Sequence, residues 1–248
     1  MDSIRWSEGN FGAKDFVIDS QLRQRPVTGA IWLPKDSCES NSVVLCGHGA
    51  SGDRYQVPIP YLVKHLVDQH NIVVLSVDGP VHGLRKVEPG GREAFFKEMQ
   101  RPTFIDDMVS DWLIATEDIL KEKNITIETL GYFGLSMGTM FGVPLLASQL
   151  EFNASVIGLC GSSGAASMIG ERLLKDAEQI THPTTFLMQL EDELLDRNAY
   201  LALFDAIRSG NKKIHANPGL HPDVPKEEID YSIEFLVKHL TRKEVVSP

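Results

Sequence analysis

The chemistry of this chain is read first from one serine. Residues 134–138 are Gly134-Leu135-Ser136-Met137-Gly138, preceded by a short run with strand character and followed by a run of helix formers. A serine hydroxyl is a poor nucleophile at neutral pH and needs a base to remove its proton. The base in turn needs a carboxylate that fixes its tautomer and stabilises its charged form. In a tight strand-to-helix turn, flanking glycines let the backbone approach closely while the serine points outward. The helix start adds a positive dipole end and N–H donors near a developing oxyanion. Alone, the pentapeptide equally fits an ordinary glycine-rich helix start, so its meaning depends on what other elements bring to it.

Those elements follow a simple alternation. Strands are expected at 14–19, 27–33, 42–47, 71–78, 129–134, 154–161, 184–190 and 212–216. Helices are expected near 57–69, 104–123, 137–150, 167–180, 197–209 and 225–241. The runs VVL, IVVL and VIGL are nearly continuous in apolar residues, as in parallel strands covered on both faces. Alternation of strand and helix implies right-handed crossovers and a mostly parallel, doubly wound sheet. The first two runs have no helix between them and are expected to form an antiparallel edge. No Pro/Gly-rich linker divides the 248 residues, so 1–248 is expected to be a single domain.

In such a sheet a ligand sits at the carboxyl ends of the strands. The residues found there are Gly47-His48-Gly49-Ala50, Asp78-Gly79-Pro80-Val81-His82, the Ser136 turn, Glu191-Asp192-Glu193 and Pro218-Gly219-Leu220-His221. Nucleophile, acid and imidazole candidates therefore converge, in the order Ser, Asp, His. Glu191, Glu193 and Asp196 rival Asp192 and otherwise read as a solvated acidic loop. Asp78 precedes the nucleophile and reads as a turn starter before Gly-Pro. Of the eight histidines, His215 lies inside a strand and reads as structural, and His65, His70, His182 and His239 as helix-surface or loop residues. Cys46 and Cys160 read as small buried hydrophobes, and Cys38 as a polar-loop residue.

The strand-elbow-helix context, with acid and base at later strand ends, resembles the α/β-hydrolase superfamily over nearly the whole chain. Its small dienelactone-hydrolase-like and esterase-type serine hydrolases are the members it looks most like. The resemblance implies an α/β-hydrolase fold with about eight strands flanked by helices. It matches Ser136 to the nucleophile, Asp192 to the acid and His221 to the base. Met137 N–H matches one oxyanion donor, and the His48-Gly49 pair makes Ala50 N–H the second. Dienelactone hydrolases carry cysteine at the elbow, so their lactone substrate does not transfer. The oxyanion loop reads His48-Gly49-Ala50-Ser51 where many esterases have HGGG. His48 is expected to order that loop. The stretch DGPVHGLR resembles a loop shaped by a His-Gly pair. His48, His82 and Arg85 are the candidate substrate-pocket residues.

The implied activity is cleavage of a small-molecule carboxylic ester through an acyl-enzyme, with no metal or organic cofactor. The same triad also serves thioesterases, lactonases and C–C bond hydrolases, and a slow-turnover ligand-binding relative keeps it too. A net charge of −10 without a basic cluster argues against nucleic acid. No apolar run approaches the ~20 residues of a membrane helix, and no membrane association is expected. Three scattered cysteines and an N-terminus without an apolar leader point to a reduced cytoplasm. The interval from Ser162 to Pro183 holds about one helix, too little for a separate cap domain. The longer excursion, 79–103, has a Gly90-Gly91 bend and an apolar Ala94-Phe95-Phe96 face, and is expected to act as a partial lid. An exposed edge strand would allow a homodimer.

Overall fold

The computed structural model describes residues 3–19, 25–35, 41–88 and 90–241; Cys38 lies outside them. Among the described residues one sheet holds nine strands. They are β1 (Ser3–Glu8), β2 (Lys14–Asp19), β3 (Val27–Trp32), β4 (Ser42–Gly47), β5 (Val73–Val77), β6 (Thr129–Leu135), β7 (Ala154–Gly158), β8 (Thr184–Gln189) and β9 (Lys212–Asn217). Their spatial order is β1-β2-β3-β5-β4-β6-β7-β8-β9. The pairs from β5 through β4 to β9 are parallel, whereas β1, β2 and β3 run antiparallel to their neighbours. The expected antiparallel edge is therefore present, with one strand more than expected. β1 (SIRWSE) lies at the sheet edge with its residues exposed or half-buried, so its sequence lacks the apolar run that marks a buried strand.

The helices are α1 (Ile59–His70), α2 (Gly91–Met99), α3 (Phe104–Ile114), α4 (Leu120–Glu122), α5 (Met137–Leu146), α6 (Gly170–Ala177), α7 (Arg197–Ala206) and α8 (Lys226–Leu240). A π turn, Ala115–Ile119, joins α3 to α4. Successive strand residues point to opposite faces, and both faces are covered. Val43, Leu45, Val73 and Leu75 join a core with α3, α5, α6 and α7. Val44, Cys46, Val74 and Phe133 join a second core with α1 and α8. This two-sided burial is why the central strands read as continuous apolar runs. No separate cap domain is present among the described residues.

Connectivity fixes where a site can form. From β4 the chain passes through α1 to β5 on one side, then returns through α2–α4 to β6 on the other side of β4. The direction of winding thus reverses beside β4, and the loops after β4 and β6 diverge there. The loop after β4 carries His48 and Ala50, and the turn after β6 carries Ser136.

Candidate active site

The turn at Ser136 is shaped by packing. Ser136 has φ 58° and ψ −117°, an unusual conformation for a residue with a Cβ. Its N–H donates to the Gly158 carbonyl (2.9 Å), tying the turn to β7. A Cβ at Gly138 would lie 2.5 Å from the Gly47 carbonyl oxygen, so only glycine lets α5 start this close to β4. The Tyr132 hydroxyl, buried beneath the turn, donates to the Gly138 carbonyl (2.5 Å). Thr139 Oγ1 accepts the Gly158 N–H (2.8 Å) and reaches the Gly134 carbonyl (2.7 Å). Two strands and one helix therefore hold the serine in place. Met137 is the first residue of α5, so its N–H is among the donors that helix geometry leaves without an intrahelical partner.

Three of the expected residues meet here. Ser136 Oγ lies 2.9 Å from His221 Nε2, and His221 Nδ1 lies 2.7 Å from Asp192 Oδ2. The Asp192 side chain is shielded from solvent. Its Oδ1 accepts the N–H groups of Leu194 (2.8 Å) and Leu195 (3.2 Å). Its Oδ2 also accepts from the Tyr200 hydroxyl. Burial and the neighbouring carboxylate push the Tyr200 phenol well above its ordinary range, so it stays a donor. Nothing in the sequence around Tyr200 marks this contact. It arises because the first turns of α7 fold back over the Asp192 loop.

The rival acids have other tasks. Glu191 accepts the Gly219 N–H (2.5 Å), and Glu193 accepts the His221 N–H (2.9 Å). The bond from His221 N–H holds the Glu193 carboxyl below the usual glutamate range. Asp196 caps α7 by accepting the Ala199 N–H (2.9 Å). The acidic loop is thus a clamp on the segment that carries His221, beyond the solvated loop expected for it. Buried Gln189 supports that segment from below, through the Asp223 carbonyl (2.9 Å).

On the opposite side, His48 is almost fully buried. Its Nε2 accepts the Gly79 N–H (2.8 Å), so Nδ1 carries the proton and donates to the Gly49 carbonyl (2.8 Å). Burial lowers its pKa to about 4, and the ring is neutral at pH 7. With both nitrogens committed to backbone, His48 orders the loop and is not placed to bind substrate. Ala50 lies exposed in the turn that the Gly52 N–H closes onto the Gly49 carbonyl.

The other two pocket candidates are also committed. Arg85 is buried and paired with Asp111, and its Nη1 donates to the Asp78 carbonyl (2.8 Å). It is a structural cation rather than one free for a substrate carboxylate. Both ring nitrogens of His82 face backbone carbonyls, Pro80 at 2.6 Å and Ala50 at 3.0 Å. Asp78 does more than start a turn. It has no solvent exposure and accepts from Thr28 Oγ1 (2.6 Å) and Arg54 Nη1 (3.0 Å), while Arg54 also binds Asp15 (2.7 Å). These partners are distant in sequence, which hides the network from a local reading.

His215, on β9, pairs with Glu228 (2.7 Å). His182 is a loop residue, as expected, but a largely buried one that contacts Ser155 Oγ (3.0 Å). Burial pushes the Cys160 thiol up to about 12 and the Cys46 thiol higher still, so both are inert at neutral pH.

No family model matches the chain. Solved structures do. The zinc-bound structure of a cold-adapted esterase from an Arctic intertidal metagenomic library is 30% identical, with a TM-score of 0.78 over 96% of this chain and 100% of that one. The chain belongs to the α/β-hydrolase superfamily. The same fold recurs in an acetyl xylan esterase from Paenibacillus sp. R4 (14% identity, 96% of this chain and 89% of that one, TM-score 0.72). It also recurs in acetyl xylan esterase 1 from Thermoanaerobacterium sp. JW/SL YS485 (12% identity, 97% and 89%, TM-score 0.73). In this α/β-hydrolase, no group of three or more His, Cys, Asp or Glu residues gathers as metal donors among the described residues. No helix among them is long and apolar enough to cross a membrane.

Proposed function

We propose that the protein is a serine hydrolase that cleaves a small-molecule carboxylic ester. The observation that carries this reading is the unbroken chain of contacts from Ser136 Oγ through His221 to Asp192. In the proposed reaction, Ser136 Oγ attacks the ester carbonyl as its proton passes to His221 Nε2. Asp192 receives the Nδ1–H bond, fixes the ring and stabilises the imidazolium. The N–H groups of Ala50 and Met137 hold the oxyanion. His221 then protonates the departing alcohol, the ester C–O bond breaks, and an acyl-Ser136 remains. Water, deprotonated by His221, attacks the acyl carbon and releases the acid and the free serine.

The esterase relatives support an ester over a thioester, lactone or C–C substrate.

Ser136→Ala tests the reading. It is expected to lower p-nitrophenyl acetate turnover by about 10⁴-fold or more, to abolish fluorophosphonate labelling and to leave the melting temperature nearly unchanged. Turnover retained by folded Ser136→Ala would overturn the assignment.

A further inference from the structure

The turn after β5 is held more tightly than a simple connection requires. Asp78 gathers Thr28, Arg54 and the Leu84 N–H (3.1 Å) around one buried carboxylate. Gly83, at φ 54°, closes over it so tightly that a Cβ there would lie 2.1 Å from Oδ1. Val81 has φ 58°, a conformation β-branched residues avoid. Backbone of this kind persists where its surroundings over-determine it, and it clusters at functional sites. What the turn presents is His82. Its Nδ1 lies 2.6 Å from the Pro80 carbonyl oxygen and its Nε2 3.0 Å from that of Ala50. Its ring packs edge-on against His48 (5.4 Å) and against Phe95 of α2 (5.2 Å).

We infer that His82 is a positioning residue for the oxyanion donor at Ala50, an inference that rests on the serine-hydrolase reading above. His48 anchors the base of the oxyanion loop, through Gly49 and Gly79. His82 anchors its tip, with Nε2 3.0 Å from the Ala50 carbonyl oxygen and able to donate to it in the tautomer that carries the proton on Nε2. Ala50 is exposed, so little side-chain packing holds its two peptide planes. Fixing the carbonyl on one side of its Cα restrains the rotations that aim the N–H on the other. An oxyanion donor works only if it is aimed before the charge develops. A neutral imidazole donates one of the two His82 bonds; the protonated ring donates both. Through Phe95, the same ring couples the oxyanion loop to α2.

The test compares His82→Gln, His82→Asn and His82→Ala. A glutamine amide reaches the position of Nε2 and can still donate to Ala50. An asparagine amide reaches only the position of Nδ1. The asparagine and alanine variants are expected to lose about tenfold or more in kcat for p-nitrophenyl acetate, with KM within about twofold. Glutamine is expected to restore kcat to within about threefold of the unmutated protein. Affinity for phenylboronic acid, which forms a tetrahedral adduct with the serine, should fall in step with kcat. Folded His82→Asn with unchanged kcat, a loss confined to KM, or equal impairment by Gln and Asn would overturn the inference. If alanine fails to fold, the Gln/Asn pair decides. Inactive Ser136→Ala beside an unimpaired His82→Asn would sink this inference alone. Active Ser136→Ala would sink the reading beneath it.

Discussion

Asp192 spends four hydrogen bonds on two oxygens, and the division matters. The two backbone bonds to Oδ1 orient the carboxylate. The Tyr200 hydroxyl and His221 Nδ1 then share Oδ2. Tyr200 therefore sets how much of the carboxylate's charge His221 meets. A hydrogen bond to a charged group contributes about 1.5–3 kcal/mol, part of which is recovered when water enters. Tyr200→Phe should lower kcat about three- to tenfold with little change in KM, measured with p-nitrophenyl acetate. An unchanged kcat would mean the contact is only structural. At this scale the sequence is partly legible. The meeting of Ser136, Asp192 and His221 is legible because the proposed triad places all three at strand ends. His48 is legible too, as the residue expected to order its loop, whereas the Arg54–Asp15–Asp78 network is not, since its partners are distant in sequence.

Among elements, the central strands are legible because both of their faces are buried, so nearly every residue is apolar. β1 is not, because it pairs on one side and faces solvent. α2 is equally hidden. Its sequence, GREAFFKEM, starts after Gly90 at φ 80° without a side-chain cap, and only a few apolar residues mark a buried side. It lies in the 79–103 excursion, which we propose as a partial cover for the site. Phe95 packs inward on Phe104 (5.8 Å) and His82, while Phe96 is 59% exposed, with Leu84 and Val87 also exposed. We propose that exposed Phe96 holds the apolar part of a substrate. Phe96→Ser should lower the ratio of kcat/KM for 1-naphthyl acetate to that for ethyl acetate by about threefold or more. An unchanged ratio would remove α2 from substrate recognition.

For the whole molecule, two buried histidines set a pH window for stability. Burial lowers the pKa of His48 and of His182 to about 4, against an ordinary value of 6.5. The folded chain keeps both rings neutral, while the unfolded chain takes up protons as pH falls below about 6.5. The unfolded state then binds more protons, so stability falls between pH 6.5 and 4 and is level above 7. Each ring contributes at most on the order of 3 kcal/mol across that window. Exposed carboxylates held low by partners, such as Asp230 beside Lys226 and Glu193 beside the His221 N–H, act below it, as the pH falls through their depressed values. The two histidines differ in what their loss would disturb. His48 holds the loop after β4, the proposed oxyanion loop, so replacing it confounds stability with function. His182 lies away from the Ser136–His221 pair, among Ser155, Thr184 and Phe152. His182→Gln, whose amide can still reach Ser155, should therefore flatten the decline of urea-unfolding free energy between pH 6.5 and 4, by roughly half of the two-histidine contribution. An unchanged slope would show that His182 exchanges protons equally in both states.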